Sequence, residues 1–229
     1  MKDNIKYFEY KDIVLKYELL YKKNQKNIIL KANGDNIKIS APNHATQHDI
    51  DLLFYKNIKK ILQVRDLYKK NIKLNLNKKN PYIKIYDNNH QILLFQGNER
   101  SKISNGVFYF KDYEDQEVTV KKIYNVLRNK FHNDFLNIVN KWKNIMGLEL
   151  KNVSLKNMKT KWGVCYPKES KIVLNIKLVH YKINIIEYVV IHELAHLVHH
   201  NHSKLFWKLV EDYCPNFREH KMSLNEPGA

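Results

Sequence analysis

The sequence has few cysteines and no long hydrophobic run, and each shortage excludes a class of protein. Two cysteines, Cys165 and Cys214, cannot form the disulfide framework of a small secreted domain, so a reducing cytoplasm is the expected location. No run of about eighteen apolar residues occurs, which predicts that no helix crosses a membrane. The first seven residues, Met-Lys-Asp-Asn-Ile-Lys-Tyr, also lack the apolar region of a signal peptide.

Acidic residues are scarce as well. The chain has 40 Lys and Arg residues against 23 Asp and Glu residues, a net charge of +17. Residues 1–112 carry +11 of this excess, and the remainder carries +6. Such a charge favours acidic partners, nucleic acid above all. No base-reading motif is present, so any such binding would be to phosphates and non-specific. The alternative is a generally Lys-rich and Asn-rich proteome, in which this charge is background.

The composition indicates a folded chain. It has 229 residues, of which 44% are hydrophobic and 12% aromatic, enough for one large or two small domains. A polar loop containing Gly97 and Gly106 is the best candidate for a boundary. We therefore predict a β-rich N-terminal region with one amphipathic helix over residues 1–111, and a second domain over residues 112–229.

Alternating and turn-forming residues predict most elements of the first region. Strands are expected at 13–20, 27–32 and 37–40, with a hairpin turn at Asn33-Gly34-Asp35-Asn36. A helix begins near Thr46 and carries an apolar stripe at helical spacing, which we expect to pack on the sheet. Further short strands are expected at 72–76, 82–86, 91–95 and 107–110, with a turn over 87–90.

The second region begins with a long helical pattern over 117–146, and Gly147 is suited to its C-terminal stop. An extended segment, 148–155, follows. Residues 161–166 and 171–178 then flank a Pro-Lys-Glu-Ser turn and predict a hairpin. We therefore expect an α+β fold, in which a β-rich region is followed by a domain that combines helices with a hairpin.

The hairpin is followed by the segment richest in chemistry, which contains His192-Glu193-x-x-His196. Two histidines four residues apart lie on one face of a helix, and both can reach one zinc ion at about 2.0–2.1 Å. Glu193 projects to the side, where it can act as general base on a zinc-bound water. The sequence therefore predicts His192 and His196 as zinc ligands and Glu193 as the catalytic base.

The flanking residues predict a buried helix over about 185–200. Asn184 and Glu187 fit a capping box at its start, and Asn201 suits its C-terminal stop. The helix is apolar nearly all round, so burying the charged Glu193 is costly unless it has a partner, and a metal is the obvious one. The alternative is that all three polar residues are satisfied by hydrogen bonds in the core.

A catalytic zinc keeps three protein ligands, so one more is required. His199 and His200 continue the same helix, and three ligands in a row on a straight helix do not converge tetrahedrally. His202 follows the Asn201 stop, where the chain can turn back over the metal, and Ser203 can cap a new helix over 204–213. We choose His202, with His199 as the alternative.

Several short motifs together resemble the YgjP-like metallopeptidase family, which is related to SprT-like and other zincin proteases. In chain order they are Met-Lys-Thr-Lys-Trp-Gly-Val-Cys (158–165), Ile-Val-Leu-Asn-Ile (172–176), the His-Glu-x-x-His helix from Tyr188, Asn-His-Ser (201–203), Phe206-Trp207 and Pro215-x-x-Arg218. Residues 13–42 are only loosely similar. One departure is that the family usually has Arg-Trp-Gly-Ser-Cys where this chain has Lys161-Trp-Gly-Val-Cys165.

The resemblance implies a zincin-like domain whose His-Glu-x-x-His helix packs on a small sheet. It implies His192, His196 and His202 as zinc ligands and Glu193 as catalytic base. It also implies that one strand of the hairpin is the sheet edge over the active site, where an extended peptide could pair through its main chain.

These observations predict a zinc-dependent peptidase acting on peptides or proteins. Lys161, His180 and Tyr181 are chemically able to stabilise the oxyanion, and the sequence does not choose among them. The rival is a basic nucleic-acid-associated module in which zinc is structural or absent, or a protease acting on DNA-bound proteins. A zinc hydrolase acting on another bond is a third possibility. The sequence does not set the oligomeric state.

Overall fold

The computed structural model describes residues 4–77 and 79–226. The first three residues, part of the segment in which no signal peptide is predicted, lie outside the described range. The chain divides into two compact units, residues 4–72 with 225–226, and residues 73–224. The predicted boundary after residue 111 lies between a strand and a helix of the second unit, and as a division into domains it stays a prediction.

The first unit is a four-stranded sheet with one helix. The strands are β1 (Ile5–Tyr10), β2 (Ile13–Lys22), β3 (Ile29–Asn33) and β4 (Asn36–Pro42), and the helix is α1 (Gln47–Asn71). The sheet order is β1-β2-β4-β3, with β2 and β4 parallel and the outer pairs antiparallel. The predicted turn between β3 and β4 is confirmed, with Gly34 at a φ of +62°.

Helix α1 packs on this sheet as its apolar stripe predicts. Thr46 forms the capping box, because its hydroxyl accepts from the Asp49 amide and its own amide donates to the Asp49 carboxylate. Phe54 is fully buried and stacks on Phe8 with ring centroids 4.4 Å apart. The stripe therefore forms the core of this unit.

The second unit begins with a five-stranded sheet in the order β5-β6-β7-β9-β8. Its strands are β5 (Leu74–Asn75), β6 (Tyr82–Ile85), β7 (Asn88–Phe95), β8 (Lys102–Ser104) and β9 (Val107–Lys111). The turn between β6 and β7 is Tyr86-Asp87, earlier than the predicted 87–90, and both residues have positive φ. Tertiary contacts hold Tyr86 there, since its hydroxyl donates to Asp134 and its ring packs on Phe131.

Helix α2 (Gln116–Ile145) crosses the core of this unit. Asp115 caps its start by accepting from the Glu117 and Val118 amides, and Gly147 follows its end with a φ of +63°. The predicted helix over 117–146 and its glycine stop are thus confirmed.

A three-stranded sheet follows, in the order β10-β12-β11. Its strands are β10 (Asn152–Lys156), β11 (Gly163–Tyr166) and β12 (Lys171–Asn175), and β11 with β12 is the predicted hairpin. A short 3₁₀ helix, Ile176–His180, leads into α3 (Ile183–Ala195), which is followed by α4 (Lys204–Tyr213) and α5 (Phe217–Leu224). Helix α3 packs against α2, β11 and β12.

The predicted α+β class is confirmed, because both units combine helices with mainly antiparallel sheets. The helix that carries the His-Glu-x-x-His motif does pack on a small sheet, as expected. Within the described ranges, every helix is too short or too polar to cross a membrane.

Candidate metal centre

Helix α3 is buried, as its nearly continuous apolar sequence predicts. Val190, Leu194 and Ala195 have no exposed surface. These residues surround the motif, so the helix presents a buried Glu193 and a partly buried His192.

Both predicted ends of this helix are corrected by the structure. The helix begins at Ile183 rather than at a capping box on Asn184, because the 3₁₀ helix delivers the chain to Lys182, whose carbonyl accepts the first helical amides. Glu187 instead pairs with Lys141 at 2.6 Å. The helix ends at Ala195, well before Asn201, because a tight turn follows in which the Leu197 amide donates to the Leu194 carbonyl.

The early end lets the chain turn back over the helix. Ser203 then caps α4, as predicted, with its hydroxyl accepting from the Phe206 amide at 3.3 Å. His202 precedes this cap, so the start of α4 fixes where its imidazole lies.

The three predicted histidine ligands converge. One ring nitrogen each of His192, His196 and His202 lies within 4.8 Å of the other two, which among the described residues is the one group of this kind. The Nε2 atoms of His192 and His202 are 3.2 Å apart. Three imidazole nitrogens this close can bind one ion between them.

Aromatic rings support this cluster from one side. The Phe206 ring is fully buried and lies 4.5 Å from the His196 ring and 5.0 Å from the His192 ring, measured between centroids. Trp207 stacks on His202 at 5.5 Å with an interplanar angle of 21°. Because these rings leave the imidazoles little freedom, the three donors are pre-organised.

The environment favours the neutral form of His192 and His196. Burial above all, with the neighbouring histidines and Lys221, lowers the pKa of His192 to about 3. Burial also lowers the pKa of His196. The Nδ1 atom of His196 donates a hydrogen bond to the His199 carbonyl at 3.1 Å, so Nε2 is the ring nitrogen left to bind a metal. Neutral imidazole is the metal-binding form, and a second hydrogen bond of this kind commonly orients a ligand histidine.

His199 and His200 do not join the cluster. His199 contributes its main-chain carbonyl to the His196 ring, and the exposed His200 ring contacts the His196 carbonyl through Nδ1 at 3.2 Å. The structure therefore brings together the residues chosen from the sequence and not the alternative ligand, although the role of each residue as a ligand stays a prediction.

Glu193 lies beside the cluster and is only 6% exposed. Its side chain packs against the backbone of Gly163 in β11, and the Cys165 amide of the same strand favours its ionised form. Burial raises the pKa of Glu193 to about 7, while Lys161 and the Cys165 amide oppose the rise. A carboxyl group so placed can exchange protons near neutral pH.

The three candidate oxyanion groups are placed differently. His180 is buried and both its ring nitrogens are engaged, with Nδ1 donating to the Lys84 carbonyl at 2.6 Å and Nε2 bonded to the Tyr124 hydroxyl. Tyr181 is buried against Trp162, with ring centroids 5.2 Å apart. Lys161 is exposed and its charge acts on Glu193, so it is the candidate that the structure associates with the centre.

Sequence reasoning missed two residues that shape this centre. Gly163 provides the space into which Glu193 packs, and a glycine inside a strand pattern was the available signal. Asn175 holds the segment before β11 through its buried side chain; it lies within the motif over 172–176, but no role was predicted for it. Burial raises the pKa of the Cys165 thiol to about 12, which favours its protonated, unreactive form.

The model of the YgjP-like metallopeptidase domain family matches residues 26–227. The chain belongs to this family. The match extends the resemblance noted from residues 158–218 over most of the sequence. Family membership makes the chain a metallopeptidase and implies a bound metal ion and a protein or peptide substrate.

Two solved structures are similar over part of the chain. The metallopeptidase zymogen of Pyrococcus abyssi abylysin is 25% identical and has a TM-score of 0.37, covering 39% of this chain and 90% of that one. The metallopeptidase zymogen of Methanocaldococcus jannaschii jannalysin is 24% identical, with a TM-score of 0.36, covering 39% and 92%. A comparison with curated proteins found no match.

Proposed function

We propose that the chain is a zinc-dependent peptidase in which His192, His196 and His202 hold the metal and Glu193 is the general base. The observation that carries this proposal is the convergence of three imidazole nitrogens within 4.8 Å, beside a buried carboxyl group. Family membership supports the peptidase activity, and the geometry supports the assignment of roles.

The donor set fits zinc. All three donors are imidazole nitrogens, two of them on histidines whose pKa is lowered so that the neutral form prevails. Zinc accepts three such ligands in a tetrahedral site and keeps the fourth position open for catalysis. Calcium and magnesium prefer oxygen ligands, so the same donor set disfavours them.

Zinc, when bound, supplies Lewis-acid chemistry, which polarises a carbonyl oxygen and makes a water molecule more acidic. Glu193 accepts the proton of the attacking water on a carboxylate oxygen and returns it to the nitrogen of the leaving amine. Lys161 is our candidate for a group that stabilises the oxyanion, because its charge already acts on Glu193.

Strand β11 is our candidate for the substrate platform. It is the outermost strand of the three-stranded sheet, and it lies directly against Glu193. An extended peptide added to this edge would be held by main-chain hydrogen bonds beside the general base.

Metal content is the first test. The protein is purified without an affinity His-tag or chelator, and zinc is measured by elemental mass spectrometry. We expect about one zinc per chain, loss of that zinc in His196→Ala, and its retention in the matched control His200→Ala. Absence of zinc from the wild type, even after zinc is supplied, would refute the proposal.

Hydrolysis is tested second, with a peptide library whose cleavage is followed by mass spectrometry. We expect Glu193→Gln to keep its zinc and lose turnover by a factor on the order of 10² or more, since the amide cannot accept the proton. Wild-type turnover in this variant would show that Glu193 is not the base.

Association with nucleic acid, including action on DNA-bound proteins, stays a prediction that rests on the net charge of +17. If it holds, affinity for duplex DNA should fall steeply with salt and show no dependence on sequence. Peptidase activity that rises when DNA is added would link the two functions, and no effect of DNA would leave the charge as background.

A further inference from the structure

The backbone of β11 approaches Glu193 more closely than any side chain would permit. A Cβ atom built on Gly163 would lie 2.5 Å from Cγ and Oε1 of Glu193 and 2.7 Å from Cδ. Real Cβ atoms essentially never come within 3.0 Å of such neighbours. Gly163 is not among the glycines with positive φ, so the position requires glycine for space and not for backbone conformation.

The same strand also turns an amide toward the carboxylate. The Trp162 carbonyl accepts from the Asn175 amide, so Trp162 faces β12. Because main-chain groups alternate in direction along a strand, Gly163 and Cys165 face the outer edge. The Cys165 amide there favours the ionised form of the Glu193 carboxyl group and so lowers its pKa. Close packing against Gly163, with this amide two residues later, thus restricts where the carboxyl group can lie.

The segment before this strand is itself anchored from β12. Asn175 is 2% exposed, and its side-chain amide donates to the carbonyls of Met158 at 3.0 Å and Lys161 at 2.8 Å. Its side-chain oxygen accepts from the amides of Met158 and Lys177. These bonds fix the chain that enters β11, so Gly163 cannot easily retreat from Glu193.

We propose that Gly163 is a positioning residue, which with the Cys165 amide forms a cradle that aims the Glu193 carboxylate at the attacking water. The proposal rests on the proposed function of Glu193. A general base must lie within about 2.6–3.2 Å of the proton it abstracts. Relieving the contact in Gly163→Ala requires a shift of roughly 1 Å, and a misplacement of that size can cost about 10²-fold in rate.

A stability cycle tests the cradle without reference to activity. The urea midpoints of metal-free wild type, Gly163→Ala, Glu193→Ala and the double variant are compared. We expect Gly163→Ala to lower the midpoint when Glu193 is present and to leave it nearly unchanged when residue 193 is alanine, since the atoms it would meet are then absent. If Gly163→Ala lowered the urea midpoint equally with glutamate and with alanine at position 193, the proposed cradle would be refuted.

Kinetics test the consequence for the reaction. Gly163→Ala should keep its zinc and its KM, and kcat should fall by about 10- to 100-fold. Adding Glu193→Asp, which shortens the side chain by one methylene, should raise kcat in this background and lower it in the wild type. A kcat within twofold of wild type would refute the positioning role. Wild-type turnover in Glu193→Gln would refute the proposed function instead, and the stability cycle would still decide on the cradle.

Discussion

Replacing His180 by Gln should flatten the acid dependence of stability and leave hydrolysis intact. His180 is 2% exposed, and burial lowers its pKa to about 4 from the usual 6.5, with Lys73 and Lys177 acting in the same direction. Its Nδ1 donates to the Lys84 carbonyl, so Nε2 accepts from the Tyr124 hydroxyl. The folded protein therefore holds this imidazole neutral.

The direction in which stability changes with pH follows from proton uptake by the unfolded chain. Between pH 6.5 and pH 4 the unfolded chain binds a proton at His180 and the folded chain does not, so stability falls as the pH falls through this window. For these two pKa values, the loss from this residue between about pH 7.5 and pH 5 is about 2 kcal/mol. The Gln variant lacks the titrating group and should not show this part of the loss.

The assay is urea unfolding of metal-free protein, followed by tryptophan fluorescence, at both pH values. The pKa values of His192 and His196 are also lowered, but they are lowered in both proteins, so the difference between wild type and His180→Gln isolates His180. We expect the stability difference between the two proteins to change by about 2 kcal/mol in favour of the variant at the lower pH. An unchanged difference would show that His180 is not held neutral, and loss of hydrolysis with zinc retained would return it to the catalytic site.

Three further outcomes are expected. Asn175→Ala should destabilise the protein by about 3 kcal/mol in urea unfolding, because four main-chain groups lose their hydrogen-bond partner. The control is Asn152→Ala, since Asn152 is exposed. An equal loss of stability in both variants would contradict this reasoning. Ser203→Ala should cost about 1 kcal/mol through loss of the α4 cap, with Ser203→Asp restoring it. His202→Ala should weaken zinc binding by a factor on the order of 10² or more, since one of three ligands is lost. The affinity is measured by competition with a chromophoric chelator. The control His199→Ala should bind zinc as the wild type does, since only the main-chain carbonyl of His199 contacts the cluster.

Local sequence patterns predicted most elements of the fold. The Asn33–Asn36 turn, the helix start near Thr46 and the glycine stop at Gly147 each depend on a few neighbouring residues, and all three are confirmed. The long apolar periodicities of α1 and α2 were equally clear. Elements with short or weak patterns were missed, such as β1, in which only Phe8 is buried, and β8, which has three residues. Such patterns do not distinguish a strand from a loop.

At the metal centre, too, local patterns were predicted more accurately than the features that depend on tertiary structure. The spacing of His192 and His196 is local, so the sequence alone placed them on one helical face with Glu193 beside them. The convergence of His202 depends on where α3 ends, and the predicted end near residue 200 was wrong. The prediction that His202 lies near His192 and His196 nevertheless agrees with the observed geometry. The reason is that the sequence predicted Ser203 as the cap of the next helix, and His202 directly precedes this cap.

What the sequence by itself determined is the chemistry carried by residues close together in the chain: two imidazoles, a carboxyl group and the turn that returns a third imidazole. Only the tertiary structure decided how those groups are held. Gly163 and Asn175 act on Glu193 through backbone contacts across a sheet and between a strand and a helix. Contacts of this kind join segments distant in sequence, and they depend on space and main-chain direction, which no local pattern of side chains records.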